Sequence, residues 1–344
     1  MRWNNLLLTE STPAPGMSAP LFEQGAVERT FDTPEFRGIT FYEIRAKSII
    51  NRVPEASHVP FRWTINPYRG CSHSCFYCFA RNTHTYLDLD YGEDFNSKIV
   101  VKVNAAEKLR VELARKTWAG EHIAMGTNVD PYQRAEGRYK LMPGILEALR
   151  DFANPFSILT KGSLILRDVD LLQQCAEVAD VGTNVSVGFV DREMWRLLEP
   201  GTPSPQKRLE VCRKLNEAGI SCGVLMAPII PFLTDTPEAL EAAVGEIAES
   251  LATHLSPIVL HLRPGAREWF MQWLANEHPE LTPKYERLYA RGSYAPKAYQ
   301  QEIYGEVHEL AEKLGVGRRH ATETRIRPRP KPKKEPTPKQ LALL

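Results

Sequence analysis

The sequence lacks an apolar run of membrane-spanning length, and its N-terminal residues are not expected to form a secretory leader. Its most apolar stretch, SCGVLMAPIIPFL, gives way to polar residues at Asp235, short of the roughly 20 residues that a spanning helix needs. The N-terminus MRWNNLLLTESTPAPG has an apolar core of only three leucines and no small-residue cleavage pattern. We therefore expect a cytoplasmic protein with no membrane segment, whose cysteines stay reduced and form no disulfide framework.

A net charge of either sign is also nearly absent, because 43 Lys and Arg are balanced by 42 Asp and Glu over 344 residues. The balance is uneven along the chain: residues 318–344 carry +7 and the remaining residues carry −6. This C-terminal segment has five prolines and few apolar residues, so we predict a disordered basic tail. The tail is either a solubilising terminus or a flexible arm for DNA.

What the sequence does contain is an alternation of short apolar runs with amphipathic helical patterns. Six runs have strand character: FRWTIN, HIAMGT, FSILTKG, VGTNVSVGF, ISCGVLMAPIIP and PIVLHLRP. Such alternation predicts parallel strands joined by right-handed crossovers. We predict an α/β fold, an incomplete (β/α)6 barrel with C-terminal helices, over residues 41–317. Residues 1–40 are expected to form an irregular arm, and functional side chains are expected at the carboxyl ends of the strands.

Three of the six cysteines, Cys71, Cys75 and Cys78, fall within eight residues directly after the first predicted strand. Thiolates this close together can bind a metal. A structural zinc ion needs four ligands, so it would require a histidine in addition. The histidine candidates are His58, His73 and His84. A 4Fe–4S cluster held by three cysteines leaves one iron open for a substrate. We favour the cluster and keep zinc as the alternative.

The other three cysteines have a different interpretation. Cys175 and Cys212 lie in predicted helices, and Cys222 begins a predicted strand, at the end of the barrel opposite the functional face. We expect all three to be small buried side chains rather than metal ligands.

The segment CSHSCFYC, from Cys71 to Cys78, resembles the C-x3-C-x-aromatic-C signature of the radical S-adenosylmethionine (SAM) enzymes. From about Phe41 to Gly317 the sequence resembles their spore photoproduct lyase-like branch, through NPYRGC, GTNVDPYQRAE, ILTKGSLILRDVDLL, LEPGTPSPQKRL and MAPIIPFLTD. The resemblance implies that the open iron of a 4Fe–4S cluster chelates SAM through its amino and carboxylate groups. It also implies reductive cleavage of SAM to a 5′-deoxyadenosyl radical, which abstracts hydrogen from a substrate.

The same resemblance implies which side chains contact SAM. The candidates are Tyr77 at the adenine, Thr127, Asn128 and Asp130 at the ammonium, and Lys161 and Ser186 at the carboxylate. From the residues alone, an Asx turn before Pro131 explains the GTNVDPY segment equally well. Further along the chain, Glu199 and Arg208 are expected to pair and fix the turn between them, with a ribose or substrate contact as the alternative.

Two positions differ from spore photoproduct lyase, so we do not expect a true lyase of that kind. That enzyme uses a cysteine near the end of the second strand as hydrogen donor and has a tyrosine after the third cluster cysteine. Here AMGTNVDPY contains no cysteine, and Phe79 follows Cys78. The catalytic residue and the substrate stay unassigned, with nucleic acid as a candidate substrate. The alternative function is a non-catalytic iron–sulfur or zinc protein that acts as a DNA-associated binding module.

Three kinds of partner are expected. A cluster of this kind needs an electron donor such as flavodoxin or ferredoxin, and the basic tail suits DNA. The last five residues, QLALL from Gln340 to Leu344, resemble the short peptides by which bacterial repair proteins dock on the sliding clamp.

Overall fold

The computed structural model describes residues 6–7, 26–57 and 59–317; residues 318–344, which include the predicted tail and its last five residues, lie outside that range. The strands are Leu6–Leu7 (β1), Val27–Thr30 (β2), Thr40–Ala46 (β3), Ile50–Arg52 (β4), Trp63–Ile65 (β5), Tyr68–Arg69 (β6), Lys98–Lys102 (β7), Ile123–Met125 (β8), Phe156–Thr160 (β9), Val181–Ser186 (β10), Cys222–Ile229 (β11) and Leu255–Val259 (β12). The α-helices are Glu93–Ser97 (α1), Ala105–Leu113 (α2), Arg134–Tyr139 (α3), Leu141–Asp151 (α4), Val169–Val178 (α5), Arg192–Leu198 (α6), Pro205–Glu217 (α7), Pro237–Glu249 (α8), Ala266–Glu277 (α9), Thr282–Leu288 (α10) and Lys297–Lys313 (α11).

Six parallel strands form the main sheet of the described residues, in the order β12-β11-β10-β9-β8-β5, and β4 pairs antiparallel with β5 at one edge. Each of the six predicted apolar runs contains or overlaps one of these strands; the last strand begins two residues before the predicted run, at Leu255. Because β12 and β4 are two separate edges, the sheet does not close on itself. The predicted incomplete (β/α)6 barrel is therefore confirmed.

The main sheet is buried on both faces, which explains why its strands read as continuous apolar runs. All three side chains of β8 are at most 3% exposed.

Helices between the strands begin and end at residues that commonly cap helices. Thr236 caps α8 by accepting a hydrogen bond from the Ala239 N–H at 3.3 Å, and Gly219, with a φ of +80°, follows the end of α7. None of the helices in the described ranges is both long and apolar enough to cross a membrane.

A second sheet, which the sequence patterns did not predict, packs beside the barrel. In it β3 pairs parallel with β7 and antiparallel with β1 and β2, and β6 pairs antiparallel with β7. The strand Val27–Thr30 lies in the stretch predicted to be an irregular arm. The domain boundaries at residues 40 and 317 stay predictions.

Asn104 directly precedes helix α2 and is a residue type that commonly caps helices, but its side chain is used elsewhere. Its Oδ1 accepts from the Ala46 N–H at 2.8 Å, and its Nδ2 donates to the Ala46 carbonyl at 3.0 Å. The side chain therefore ties the end of β3 to the start of α2, and no side-chain hydrogen bond caps the helix. Ala46 is only 2% exposed, and buried backbone groups need hydrogen-bond partners, which explains why this use wins over capping.

Candidate functional site

The cysteine loop begins where the two sheets meet, since β5 belongs to the main sheet and β6 to the second. Gly70 follows β6 with a φ of +85°. A Cβ at this position would lie 2.8 Å from Cε1 of His84 and 2.9 Å from the carbonyl oxygen of Lys98. Both the backbone conformation and the lack of space therefore require glycine here.

Backbone hydrogen bonds fix the cysteine loop to two helices. The Cys71 N–H donates to the Phe95 carbonyl in α1 at 2.9 Å, and the Phe76 N–H donates to the Leu198 carbonyl at the end of α6 at 3.1 Å. The loop is thus held from both sides, which sets the direction in which its thiols point.

One cavity of about 190 Å³ at the carboxyl ends of the strands brings together all nine residues that were predicted to bind metal or SAM. They are Cys71, Cys75, Tyr77 and Cys78 from the loop after β6, Thr127, Asn128 and Asp130 after β8, Lys161 after β9, and Ser186 at the end of β10. The side chains converge because parallel strands present their carboxyl ends at one edge. The role of each residue in binding stays a prediction.

The chemistry of the three thiols fits an iron–sulfur cluster. All three are free cysteines on the wall of the same cavity. Burial raises the pKa of each thiol, and for Cys75 burial and the nearby Glu199 carboxylate raise the pKa to about 12. The thiols therefore hold their protons until a metal binds, because the thiolate is the form that acts as a ligand.

Zinc is the weaker fit to this donor set. Within the described ranges, no three His, Cys, Asp or Glu side chains are grouped to hold a single metal ion. Of the candidate fourth ligands, His73 faces Asp130 at 3.4 Å, His84 lies 2.9 Å from the Lys98 carbonyl oxygen, and His58 lies outside the described residues. In a cluster the thiolates bind different irons, so they need not surround one point.

Lys161, Ser186 and Tyr77 form a connected group around Glu199. Nζ of Lys161 donates to Oγ of Ser186 at 2.7 Å, lies 3.1 Å from Oε1 of Glu199, and is 5.6 Å from the centre of the Tyr77 ring. Glu199 is fully buried, accepts from the Tyr77 hydroxyl and pairs with Arg208. Burial would raise the pKa of Glu199, but the charges of Arg208 and Lys161 lower this pKa to about 2. The predicted Glu199–Arg208 pair is confirmed, and it also orients two candidate SAM contacts.

Asp130 holds the loop after β8 to the end of β9. Its Oδ1 accepts from the Tyr132 N–H at 2.9 Å, which is the expected Asx turn, and from the Thr160 hydroxyl at 2.6 Å. Its Oδ2 accepts from the backbone N–H of Lys161 at 2.6 Å. Burial would raise the pKa of Asp130, but His73 and these donors outweigh it and lower the pKa. Asp130 is therefore an anion in the cavity wall, and its contact with the SAM ammonium stays a prediction.

Thr127 presents a buried hydroxyl oxygen that has no hydrogen-bond partner among the described residues. The residue before it, Gly126, has a φ of +84°, and a Cβ there would lie only 1.8 Å from the Leu159 carbonyl oxygen. The close approach of this loop to β9 places Thr127 and the exposed Asn128 in the cavity wall. An unsatisfied buried polar atom in a cavity wall is explained if a ligand supplies its partner.

Arg81, which follows the cysteine loop, was missed by sequence reasoning. It is fully buried and donates to the carbonyl of Cys75 at 2.9 and 3.1 Å, to that of Gly92 at 2.9 Å and to Oδ1 of Asn96 at 3.0 Å. Burial raises the pKa of Cys78, and the Arg81 charge opposes that rise. Within the described ranges the hydrogen-bond acceptors of Arg81 are neutral groups. Burying a cation without an anionic partner costs several kcal/mol of folding free energy. No sequence signal marks an arginine three residues after a cysteine as a buried side chain that holds the cysteine loop.

Two more residues that support the site, and that sequence reasoning left unassigned, lie at the start of helix α3. Gln133 accepts from the Ser72 N–H at 2.9 Å and so fastens the cysteine loop. Glu136 is fully buried, accepts from the Tyr68 hydroxyl at 2.5 Å and pairs with Arg167 at 2.7 Å. Burial raises the pKa of Glu136 despite the opposing effect of Arg167. Gln133 directly precedes α3 and Glu136 lies in its first turn, so the start of one helix supplies both contacts.

The remaining cysteines are fully buried, as expected. Cys175 and Cys212 lie in α5 and α7, and Cys222 is the first residue of β11, at the end opposite the cavity. Burial raises the pKa of Cys175 to about 12 and that of Cys222 well above its usual value. Their interpretation as small core side chains is confirmed.

Sequence comparison places this site in a known family. Residues 65–243 match the model of the Radical SAM superfamily, a range that contains all nine residues predicted to bind metal or SAM. The uncharacterized protein Rv2578c of Mycobacterium tuberculosis is 46% identical over 321 residues, which are 93% of this chain and 94% of that protein. The uncharacterized protein MJ0683 of Methanocaldococcus jannaschii is 33% identical over 60% of this chain and 73% of that protein.

Solved structures support the same assignment at the level of the fold. A spore photoproduct lyase variant with bound AdoMet and dinucleoside spore photoproduct has a TM-score of 0.58 to this chain at 18% identity, over 76% of this chain and 77% of that chain. A spore photoproduct lyase complexed with dinucleoside spore photoproduct has a TM-score of 0.57 over the same shares. Since the family model covers more than half of the chain and contains the cysteine loop, the chain belongs to the radical SAM superfamily.

Proposed function

We propose that this enzyme holds a 4Fe–4S cluster on the three thiols of the loop from Cys71 to Cys78 and cleaves SAM reductively beside it. The observation that carries the proposal is the convergence of all nine predicted residues on one cavity. SAM has an ammonium, a carboxylate and an adenine, so its site needs an anion, a cation and an aromatic ring. The cavity wall offers these as Asp130, Lys161 and Tyr77.

The chain's own residues bind and orient SAM in this proposal. Lys161, which Ser186 and Glu199 already hold in place, donates to the SAM carboxylate. Asp130 accepts from the ammonium, and the unpartnered hydroxyl of Thr127 gains a hydrogen bond. When bound, the cluster supplies the electron for reductive cleavage of SAM, the source of the hydrogen-abstracting radical. A flavodoxin- or ferredoxin-type protein in the cytoplasm is the proposed electron donor.

A nucleic acid is the proposed substrate, because the cavity opens into a groove suited to one. The groove has a volume of about 880 Å³ and shares the loop after β8 with the cavity. Three exposed aromatic rings line it, Phe79, Tyr86 and Tyr294, and such rings can stack on bases. Two of the similar solved structures are of a lyase with a dinucleoside bound. Because Phe79 follows the third cysteine and AMGTNVDPY has no cysteine, the proposed reaction uses a hydrogen donor different from that of spore photoproduct lyase.

The test is formation of 5′-deoxyadenosine by the full chain after anaerobic reconstitution, with SAM, dithionite, and DNA or RNA present or omitted. We expect product from the wild type, more of it with the preferred nucleic acid, and none from Cys75→Ala. Cys175→Ala is the matched control, because this buried cysteine lies outside the loop and should leave product formation intact. If iron-loaded wild-type protein yields no 5′-deoxyadenosine, the enzymatic proposal is rejected and the DNA-associated binding module remains.

A further inference from the structure

The groove that opens from the cavity is lined by cations and by no anions. Of the described residues in its wall, four are basic: Arg52, Arg69, Lys102 and Arg263. None of the described residues in the groove wall is Asp or Glu. Two of the cations have local partners, since Arg52 pairs with Glu55 at 2.6 Å and Arg263 donates to the Tyr294 hydroxyl at 3.1 Å.

The other two cations, Arg69 and Lys102, lie side by side on the second sheet. In the antiparallel pair of β6 and β7, Arg69 faces Val100. Lys102 is two residues further along β7, so its side chain is on the same face as those of Val100 and Arg69. The two cations are therefore diagonal neighbours across the strand pair.

Neither of these cations forms an ion pair with a carboxylate of the described residues. Lys98 is the instructive contrast, because it lies on the same face of β7, is the other diagonal neighbour of Arg69, and pairs with Asp94 at 2.9 Å. Burial and the like charge of Arg69 lower the pKa of Lys102 to about 8, although the charge of Glu112 opposes that shift. Two partly desolvated like charges on one surface repel each other unless an anion lies between them.

We propose that Arg69 and Lys102 form a binding site for a phosphate group at the floor of the groove. An arginine fork beside a lysine point charge suits an anion with several oxygens and up to two charges, as phosphate has. The groove also carries Gly126 and Thr127 of the cavity wall, so a molecule held by its phosphate at this site reaches the cavity. The phosphate belongs either to a nucleic-acid backbone or to a small phosphorylated molecule.

This inference builds on the proposed function only in taking the groove as the place of the substrate. Its test is a binding measurement, which needs no turnover, so each proposal can fail without the other. The probes are a fluorescein-labelled ten-nucleotide single-stranded DNA, followed by anisotropy, and inorganic phosphate, followed by calorimetry. The protein is the full chain, anaerobically reconstituted, so the basic tail is present in every variant and its contribution cancels.

Lys102→Met should weaken binding of at least one probe by about tenfold or more, the loss expected for a charge-assisted hydrogen bond. For the DNA it should also lower the slope of log K against log salt concentration by about 1. Lys98→Met should change neither value, and Lys102→Arg should restore most of the affinity. If Lys102→Met does not fold by circular dichroism, Arg69→Gln takes its place.

The pattern of losses identifies the source of the phosphate. A loss for both probes, or for the DNA alone, assigns the site to a nucleic-acid backbone. A loss for inorganic phosphate alone assigns it to a small phosphorylated molecule. Binding of both probes that is equal in the wild type, Lys102→Met and Lys98→Met would overturn the proposal.

Discussion

Replacing Glu199 by glutamine tests whether a buried anion holds the SAM-binding side chains in place. The substitution keeps the shape of the side chain and removes its charge. It leaves Arg208 and Lys161 facing a neutral amide, and the side chains of Arg208 and Glu199 are at most 1% exposed. Such an uncompensated buried charge destabilises a protein strongly.

The size of the effect follows from the pKa of the carboxyl group. Burial opposes ionisation of Glu199, but Arg208 and Lys161 lower its pKa from 4.5 to about 2. At about 1.4 kcal/mol per pKa unit, the ionised form contributes about 3 kcal/mol to the free energy of unfolding at pH 7. Because the folded-state pKa is the lower one, this contribution is present above about pH 4.5 and is lost as the pH falls towards 2. By pH 3.5 about 1.4 kcal/mol of it should be gone.

The assay is urea unfolding of the wild type and Glu199→Gln at pH 7 and pH 3.5. We expect Glu199→Gln to be less stable by about 3 kcal/mol at pH 7, with a smaller difference at pH 3.5. Glu210→Gln is the matched control. Its pKa is also lowered to about 2, by hydrogen bonds from Lys207 and Lys214, but its carboxylate is at the surface and should matter little. Equal stability of the two variants would refute the reasoning from burial.

Three further outcomes are expected. Lys161→Ala should weaken SAM affinity by about 1.5–3 kcal/mol in anaerobic equilibrium dialysis; an unchanged dissociation constant in the double variant with Ser186→Ala would remove both residues from the site. Arg81→Met should make the reduction potential of the reconstituted cluster more negative, because a buried positive charge favours the reduced form; an unchanged midpoint in an EPR-monitored titration argues against that charge effect. A peptide of residues Pro336–Leu344 should bind purified sliding clamp; no binding, or equal binding by its form with Gln340→Ala and Leu343→Ala, leaves the solubilising interpretation of the tail.

Local sequence signals were sufficient for the barrel. Apolar runs and amphipathic patterns are properties of neighbouring residues, and they located all six parallel strands. The resemblance to the radical SAM enzymes named Thr127, Lys161 and Ser186 as SAM contacts, and the rule that carboxyl ends share one edge explains why all three lie beside the cysteine loop. No distance information was needed for that step.

Long-range pairing explains what the sequence did not reveal. The second sheet pairs Thr40 with Lys98, and no periodic pattern in either segment indicates such a contact. Arg81 was likewise unreadable as a supporting residue, since its importance comes from complete burial against the Cys75 carbonyl. Asn104 shows the same limit, because its local capping signal was overridden by the buried backbone of Ala46.

The central claim is that the three loop cysteines hold a cluster whose open iron binds SAM. Its most direct test is the EPR spectrum of the reduced, anaerobically reconstituted chain, recorded before and after SAM is added. The account predicts a cluster signal in the wild type that changes on addition of SAM, and no such signal in Cys71→Ala, Cys75→Ala or Cys78→Ala. A wild-type signal unaffected by saturating SAM, or full cluster content in all three variants, would contradict it.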